Sequence, residues 1–519
     1  MIVKDILFGE EARKKLIVGV DTIANAVGST LGARGATVLI ESEQHVGGIT
    51  VTKDGVTVAK SINLMDPVEN LAVMIMREAS ENTANAAGDG TTTSMVLAQS
   101  LVNTATNFFG KSDNVTAILR EITEIAENIC KDLDEKSIKV TPERLAEVAT
   151  ISANGDAYIG EIIADAYNKV GLTGVVTVES SKDAMTYSEV INGMKIDRGF
   201  QSKYFVTDHK KQEAVLDNPY VLVTDQPISH INDILPILEF IYEGGRNTGS
   251  LLIIGDIEEN AMNALNANKI KSKLKVCSII PPQFGYKRHQ LMQDIAHATG
   301  AKYFSEQTGD SLQMVTMDDL GRAEKVVSGR FHTTLRGPGG DVEGRVSELQ
   351  EQLNVETSGI EKEFLKERIA NLGGGVGVIY VGAQSDIELK EKKDRVDDAV
   401  FAVRAALEEG VLPGGGVALK DAAIFYKGPK TKAVAILQYA LVSPIQRIIF
   451  NAGMGELVPD LENLPEGYGL DVVKGDVCDM VDAGIIDPTK VTKSALMNAI
   501  SVATTLLSTN SVITNVRAQ

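Results

Sequence analysis

Six residues, Gly88-Asp89-Gly90-Thr91-Thr92-Thr93, constrain this chain more than any other stretch. Apolar residues recur at helical spacing over 68–87 before it and 94–109 after it, so two glycines and three hydroxyls fall at the start of a helix. Unpaired N–H groups and the positive end of the helix dipole face such a loop, and glycine removes the Cβ that would hold a phosphate away. Asp89 adds a carboxylate. Beside a phosphate it is repulsive unless a hard cation lies between them, and oxygen donors of this kind suit Mg²⁺ shared with a nucleotide. Taken alone, the stretch also reads as a turn joining two helices, with the threonines capping the second. Thr52-Lys53-Asp54-Gly55 is open in the same way, since it fits a tight hairpin turn.

Composition narrows the choices. With 519 residues there is chain for about three domains of ordinary size. No apolar run is expected to approach the roughly 18 residues that a membrane span needs. The N-terminus, Met1-Ile2-Val3-Lys4-Asp5, lacks a basic segment followed by an apolar block, so neither a secretory signal nor a transit peptide is expected and the location expected is cytoplasmic. Cys130, Cys277 and Cys478 are far apart and read as reduced core thiols. A net charge of −19 repels a polyphosphate backbone and argues against nucleic acid as a partner. No G-x-x-x-x-G-K-[S/T] is present, and Gly373-Gly374-Gly375-Val376-Gly377 precedes a strand, so neither a P-loop nor a dinucleotide fingerprint is indicated.

Along the chain, periodicity predicts helices over 11–28, 114–131 and 142–149, a strand over 36–41, and a turn over 150–155. Strands over 174–179, 186–191, 220–224, 251–255 and 275–280 then alternate with helices over 231–242, 258–271 and 284–299, the pattern of an α/β domain. Two antiparallel amphipathic helices fit 343–372, followed by a strand over 376–381 and a charged helix over 386–409.

These motifs occur together, with Lys4-Asp5, Phe8-Gly9, Thr30-Leu31-Gly32, Ile151-Ser152-Ala153-Asn154, Asp197-Arg198-Gly199, Glu391-Lys392-Lys393, Gly414-Gly415-Gly416 and Gly484-Ile485-Ile486-Asp487-Pro488-Thr489. The set resembles the group I chaperonins, the bacterial GroEL family, over essentially the full length. The resemblance implies a multi-domain α/β chaperonin fold: a mainly helical equatorial domain (1–135 and 410–519), a small intermediate domain (136–191 and 376–409) and an α/β apical domain (192–375). It implies an ATPase that binds unfolded polypeptides and folds them through nucleotide-driven domain movement, in a homo-oligomeric, heptameric ring, single or double. A chaperonin-derived holdase or scaffold and a group II chaperonin stay as alternatives. ATP and Mg²⁺ are the implied cofactors, K⁺ a candidate third, and a co-chaperonin a candidate partner; no membrane partner is implied.

Residue by residue, the resemblance gives Asp54 and Asp398 catalytic roles, Asp398 acting on the attacking water, and makes Asp89 the metal ligand. Nucleotide contacts fall to Thr30, Leu31, Gly32, Ala33, Lys53, Asp54, Gly55, Asp89, Gly90, Thr91, Thr92, Thr93, Ile151, Ser152, Gly414, Gly415, Asp471, Val472, Val473, Ile485 and Asp487. Ala33 stands where the family usually has proline, and Asp471 where it has asparagine. Phe200, Tyr204, Phe205, Leu235, Leu238, Met262 and Leu265 match the apolar groove that receives clients. Asn263 and Asn266 make this groove more polar, so Asn266→Val is expected to strengthen capture.

Overall fold

In the computed structural model of the chain, residues 4–515 are described apart from 42–47, 111, 154, 172–173, 182, 192, 210, 242–248, 273, 306–308, 357 and 374. Asn154 and Gly374 of the sequence motifs lie outside the described residues. The chain divides into two units, one of residues 1–165, 178–188 and 379–519, the other of 166–177 and 189–378. Of the segments expected to form an intermediate domain, 136–165, 178–188 and 379–409 fall in the first unit, and 166–177, 189–191 and 376–378 in the second.

The first unit is built on helices Gly9–Gly28, Pro67–Ala87, Thr91–Phe108, Val115–Lys136, Lys432–Asn451 and Thr489–Ser508. In Gly9–Gly28, Leu16, Val20, Ile23 and Val27 form one stripe of at most 4% exposure, each worth roughly 1.5–3 kcal/mol when buried. Close helix packing needs Gly19, where a Cβ would lie 2.3 Å from the Glu69 carbonyl oxygen of helix Pro67–Ala87. That second helix starts where Asp66 accepts the N–H groups of Val68 (2.8 Å) and Glu69 (3.2 Å), with Pro67 in its first turn. Strand Lys4–Phe8 pairs antiparallel with Ser511–Asn515, and Val38–Glu41 with Ile49–Thr52.

Among the described residues, helix Lys432–Asn451 is long and apolar enough to cross a membrane by length and composition alone. Its apolar content has another cause. Ala433, Ile436, Leu437, Ala440, Leu441 and Ile445 are buried in the core of the helical unit, while Gln438, Ser443 and Arg447 interrupt the run.

The second unit holds a mixed sheet in which Tyr220–Thr224, Leu251–Ile254 and Val276–Ile279 run parallel as neighbours, with Tyr303–Phe304 parallel to the first. Leu251–Ile254 and Val276–Ile279 are buried at every position, as in a sheet covered on both faces. Helices Glu259–Ser272 and Gly285–Thr299 connect these strands. The expected helix over 231–242 is shorter: a 3₁₀ turn, Ile231–Asp233, is followed by Leu235–Ile241. Helices Val342–Val355 and Gly359–Gly373 pack together as expected. Arg368, 1% exposed, ties the second to helix Gly285–Thr299 through two bonds to Asp294, at 2.6 and 2.8 Å. All three cysteines are unpaired, and burial pushes the Cys130 and Cys277 thiols up to about 11 and about 12.

Candidate functional site

Helix Pro67–Ala87 ends at Gly88 (φ +75°), and Gly90 (φ +82°) opens helix Thr91–Phe108, so both glycines take the left-handed conformation that side-chain-bearing residues avoid. Neither site has room for a Cβ. At Gly88 it would lie 2.3 Å from Cβ of Phe401, and at Gly90 2.7 Å from Cγ1 of Val491. The loop is held between helices Asp386–Glu409 and Thr489–Ser508. Between the two glycines, Asp89 accepts the Gly90 N–H (2.5 Å) and a hydrogen bond from Ser152, the last residue of helix Leu145–Ser152. Burial raises the Asp89 pKa, and the charge of Asp54 adds to the effect.

Asp54 does not sit in a hairpin turn. It follows strand Ile49–Thr52 and caps helix Gly55–Ser61, accepting the N–H groups of Val56 (3.0 Å) and Thr57 (3.2 Å). At Gly55 a Cβ would stand 2.5 Å from the Thr92 hydroxyl oxygen and 2.9 Å from that of Thr91, so the two loops meet there. Lys53, beside Asp54, is half-buried.

Helix Asp386–Glu409 brings the third carboxylate. Phe401 packs on Gly88, and Ala405 joins Ala87 and Val491 in a small buried cluster. Asp398 lies three residues before Phe401 and so shares this docked face. Its pKa is raised well above the carboxylate range, first by burial and then by the charges of Asp54, Asp89, Asp394 and Asp397. The last two were not anticipated. Asp487 is the fourth carboxylate, on strand Ile486–Pro488, which pairs with Val411–Pro413. It accepts the N–H groups of Gly415 and Gly416, while burial and then the Asp89 charge push it up to about 6. Gly414 runs close beside it: a Cβ there would lie 3.0 Å from Asp487 Oδ1.

A second group of expected residues meets elsewhere in the unit. The Thr30 hydroxyl donates to the Val27 carbonyl (2.8 Å), and the Asn451 amide holds the carbonyls of Gly28 and Leu31 at 2.9 Å. Gly32 (φ +86°) lies against Ile448, and Ala33 is exposed. Arg34 donates to the Val473 carbonyl (3.0 Å), joining this loop to the turn after strand Tyr468–Asp471. Asp471 accepts the N–H groups of Val473 (2.9 Å) and Lys474 (3.2 Å) of its own turn. Val472 is buried in a core cluster with Met480 and Ile485, and Val473 is 59% exposed. Met480 Cε would contact a Cβ on Gly415 at 3.1 Å, so the 468–479 hairpin adjoins the 414–416 loop.

Two comparisons bear on this arrangement. The family described as the TCP-1/cpn60 chaperonin family matches residues 23–517. This chain belongs to that family. Among solved structures, the chaperonin gp146 from the bacteriophage EL 2 (Pseudomonas aeruginosa), crystallised in the presence of ATP-BeFx, is similar at a TM-score of 0.66, with 22% identity and 99% of each chain covered. A second crystal form of the same protein gives 0.62 at the same identity and coverage. At that identity the likeness speaks for the multi-domain α/β chaperonin fold.

In the chaperonin's sheet unit, the residues expected to line a client groove divide by exposure. Tyr204 (62%) and Leu235 (39%) face outward. Phe200 and Met262 are half-buried against the core. Phe205, Leu238 and Leu265 are not groove surface: at 0%, 6% and 0% exposure they belong to the core under it. Lys269 explains part of this, since its ammonium binds the Phe205 carbonyl (2.5 Å) and anchors the turn Lys203–Phe205. Asn266 is also committed, accepting the Ser202 hydroxyl (3.0 Å) while Ser202 accepts the Tyr204 N–H. Phe240, 44% exposed, is an outward aromatic on helix Leu235–Ile241 that pattern reading missed.

Proposed function

We propose that this chaperonin binds and hydrolyses ATP with Mg²⁺ and couples turnover, through movement of helix Asp386–Glu409, to capture and release of non-native polypeptides by a ring of identical chains. One observation carries the reading: Asp54, Asp89, Asp398 and Asp487 share an electrostatic neighbourhood around a helix N-terminus whose glycines leave no room for a Cβ. The charges of Asp54 and Asp89 add to the raised pKa values of their neighbours, Asp89 raising Asp398 and Asp487 and Asp54 raising Asp89 and Asp398, and negative charge so gathered calls for a cation. Among the described residues no three His, Cys, Asp or Glu side chains are grouped to hold a metal unaided, which suits an ion whose remaining ligands are phosphate oxygens and water.

The residues fit that group. Asp89 would hold Mg²⁺, which neutralises phosphate charge, and the N–H groups opening helix Thr91–Phe108 would face the phosphates, with Lys53 a further positive charge. Asp398 orients water and accepts its proton, a role its raised pKa favours by making the carboxylate a stronger base. Asp54, fixed by its cap, holds its carboxylate beside the same space. Asp487 and the 414–416 loop take the nucleoside side. Hydrolysis of a phosphoanhydride needs such positioning and charge neutralisation more than covalent chemistry from the protein. The family likeness supports extending the reading to a heptameric ring, a three-domain division, K⁺ as an additional cation and a co-chaperonin.

Phosphate release and nucleotide affinity, measured on the parent and on Asp398→Ala, test the reading. Affinity is expected to hold within about threefold while turnover falls by roughly 10²-fold or more. Equal losses in both would remove Asp398 from the chemistry, and a parent that binds clients without turnover would make the protein a holdase.

A further inference from the structure

Helix Val417–Ile424, opened by Gly416 of the nucleoside-side loop, carries two adjacent charges buried in the protein: Lys420 at 0% exposure and Asp421 at 4%. An ammonium is almost never found fully buried without partners, so its contacts are informative. Lys420 Nζ lies 2.8 Å from Asp421 Oδ1 and donates to the Tyr468 carbonyl (2.9 Å). Asp421 Oδ2 accepts the N–H of Gly467 (2.8 Å). Both outward bonds therefore end on the backbone at one place, the entry to strand Tyr468–Asp471. Gly469 of that strand runs so close to Val417 that a Cβ would lie 2.4 Å from Val417 Cγ2. The strand pairs with Asp476–Asp479 and leads into the Asp471, Val472, Val473 turn, whose far end Arg34 holds.

We propose that Lys420 and Asp421 are positioning residues for the nucleotide, gripping the base of the 468–479 hairpin so that the nucleoside side of the pocket stands in fixed register with residues 414–416. The proposal rests on the nucleotide reading above. A pair kept for stability alone is poorly explained here, because apolar residues of similar volume stabilise a core as well as a buried ion pair does. What an apolar pair cannot do is hold two backbone groups of a neighbouring turn. With the Asp471 carboxylate committed to its own turn and Val472 committed to the core, the hairpin presents its nucleoside side through where its backbone sits, and that place depends on the grip.

The test compares the full chain with Lys420→Met and with Lys420→Met/Asp421→Leu. The single variant leaves a buried carboxylate uncompensated and endangers folding; the double variant removes both charges and keeps the volume. For the double variant the melting temperature is expected within a few degrees of the parent, KM for MgATP about tenfold higher, and kcat within about twofold, since Asp54, Asp89 and Asp398 are untouched. The preference for ATP over GTP in kcat/KM should fall by about tenfold. Backbone hydrogen exchange over 468–479 should quicken in either variant. A shifted melting temperature with unchanged KM, preference and exchange would make the pair merely structural and overturn the proposal. A parent that neither binds nor hydrolyses MgATP overturns the nucleotide reading itself, and the pair's role with it.

Discussion

At the residue scale, the cost of the carboxylate cluster is open to titration. Asp487 has its folded pKa raised to about 6 from an ordinary 3.8, so between those pH values the folded chain holds a proton that the unfolded chain has released. Stability is then full below about pH 4 and is lost as pH rises through 6. Asp487→Asn, which keeps an acceptor for the Gly415 and Gly416 N–H groups, is expected to raise the nucleotide-free melting temperature at pH 7.5, with the gain shrinking as pH falls from 6 towards 4. A gain that grows on acidification would refute the assignment. Asp89→Ala should abolish turnover and leave any residual rate indifferent to added Mg²⁺. Asp89 was legible from turn chemistry, since an aspartate beside glycine at a helix start is a local signal, whereas the stretch around Asp54 fits a hairpin turn equally well and drew its role from the resemblance. Asp398 and Asp487 were not: one is aimed by Phe401 docking on Gly88, the other by strand pairing with Val411–Pro413. Only the family resemblance singled them out.

At the scale of elements, long amphipathic helices such as Gly9–Gly28 and Asp386–Glu409 were readable because burial of one face writes a 3.6-residue period into the sequence. Helix Ala157–Val170, strands Gly321–Ser328 and Thr333–Pro338, and the 468–479 hairpin were missed. Pairing of Lys4–Phe8 with Ser511–Asn515 joins positions up to 511 apart, and nothing in a local window encodes that. The docked helix Asp386–Glu409 offers the sharpest test at this scale. Gly88→Ala forces a Cβ to within 2.3 Å of Phe401 at a φ of +75°, so the helix must lift to relieve the overlap. Nucleotide binding should change little, because Asp89 and the helix N-terminus stay in place, whereas turnover should fall by roughly 10²-fold as Asp398 withdraws. Full turnover in this variant would show that the docked position does not contribute to the chemistry.

On the scale of the whole molecule, the proposed client surface and the proposed nucleotide site belong to different units of one chain, and the two should be separable by mutation. An apolar surface holds an unfolded chain because burying it is worth about 25 cal/mol per Å². Only exposed side chains can offer that area, which among the residues expected to line the groove leaves Tyr204 and Leu235, with Phe200 and Met262 at the margin and Phe240 beside them on helix Leu235–Ile241. Tyr204→Ser/Leu235→Ser should therefore abolish capture of a denatured test protein and leave ATP turnover within about twofold. Leu238→Ser should act differently. At 6% exposure its removal opens the core, and the outcome expected is a loss of about 2–5 kcal/mol in the stability of the sheet unit, with weaker capture following from that. Asn266→Val, expected from sequence to strengthen capture, should weaken it, since the Ser202 hydroxyl loses its acceptor and the turn that presents Tyr204 is left with the Lys269 bond as its hydrogen-bonded tie to helix Glu259–Ser272. Calorimetry and a light-scattering capture assay on the same three variants separate these outcomes. If Tyr204→Ser/Leu235→Ser holds clients as firmly as the parent at an unchanged melting temperature, the client surface lies outside this groove.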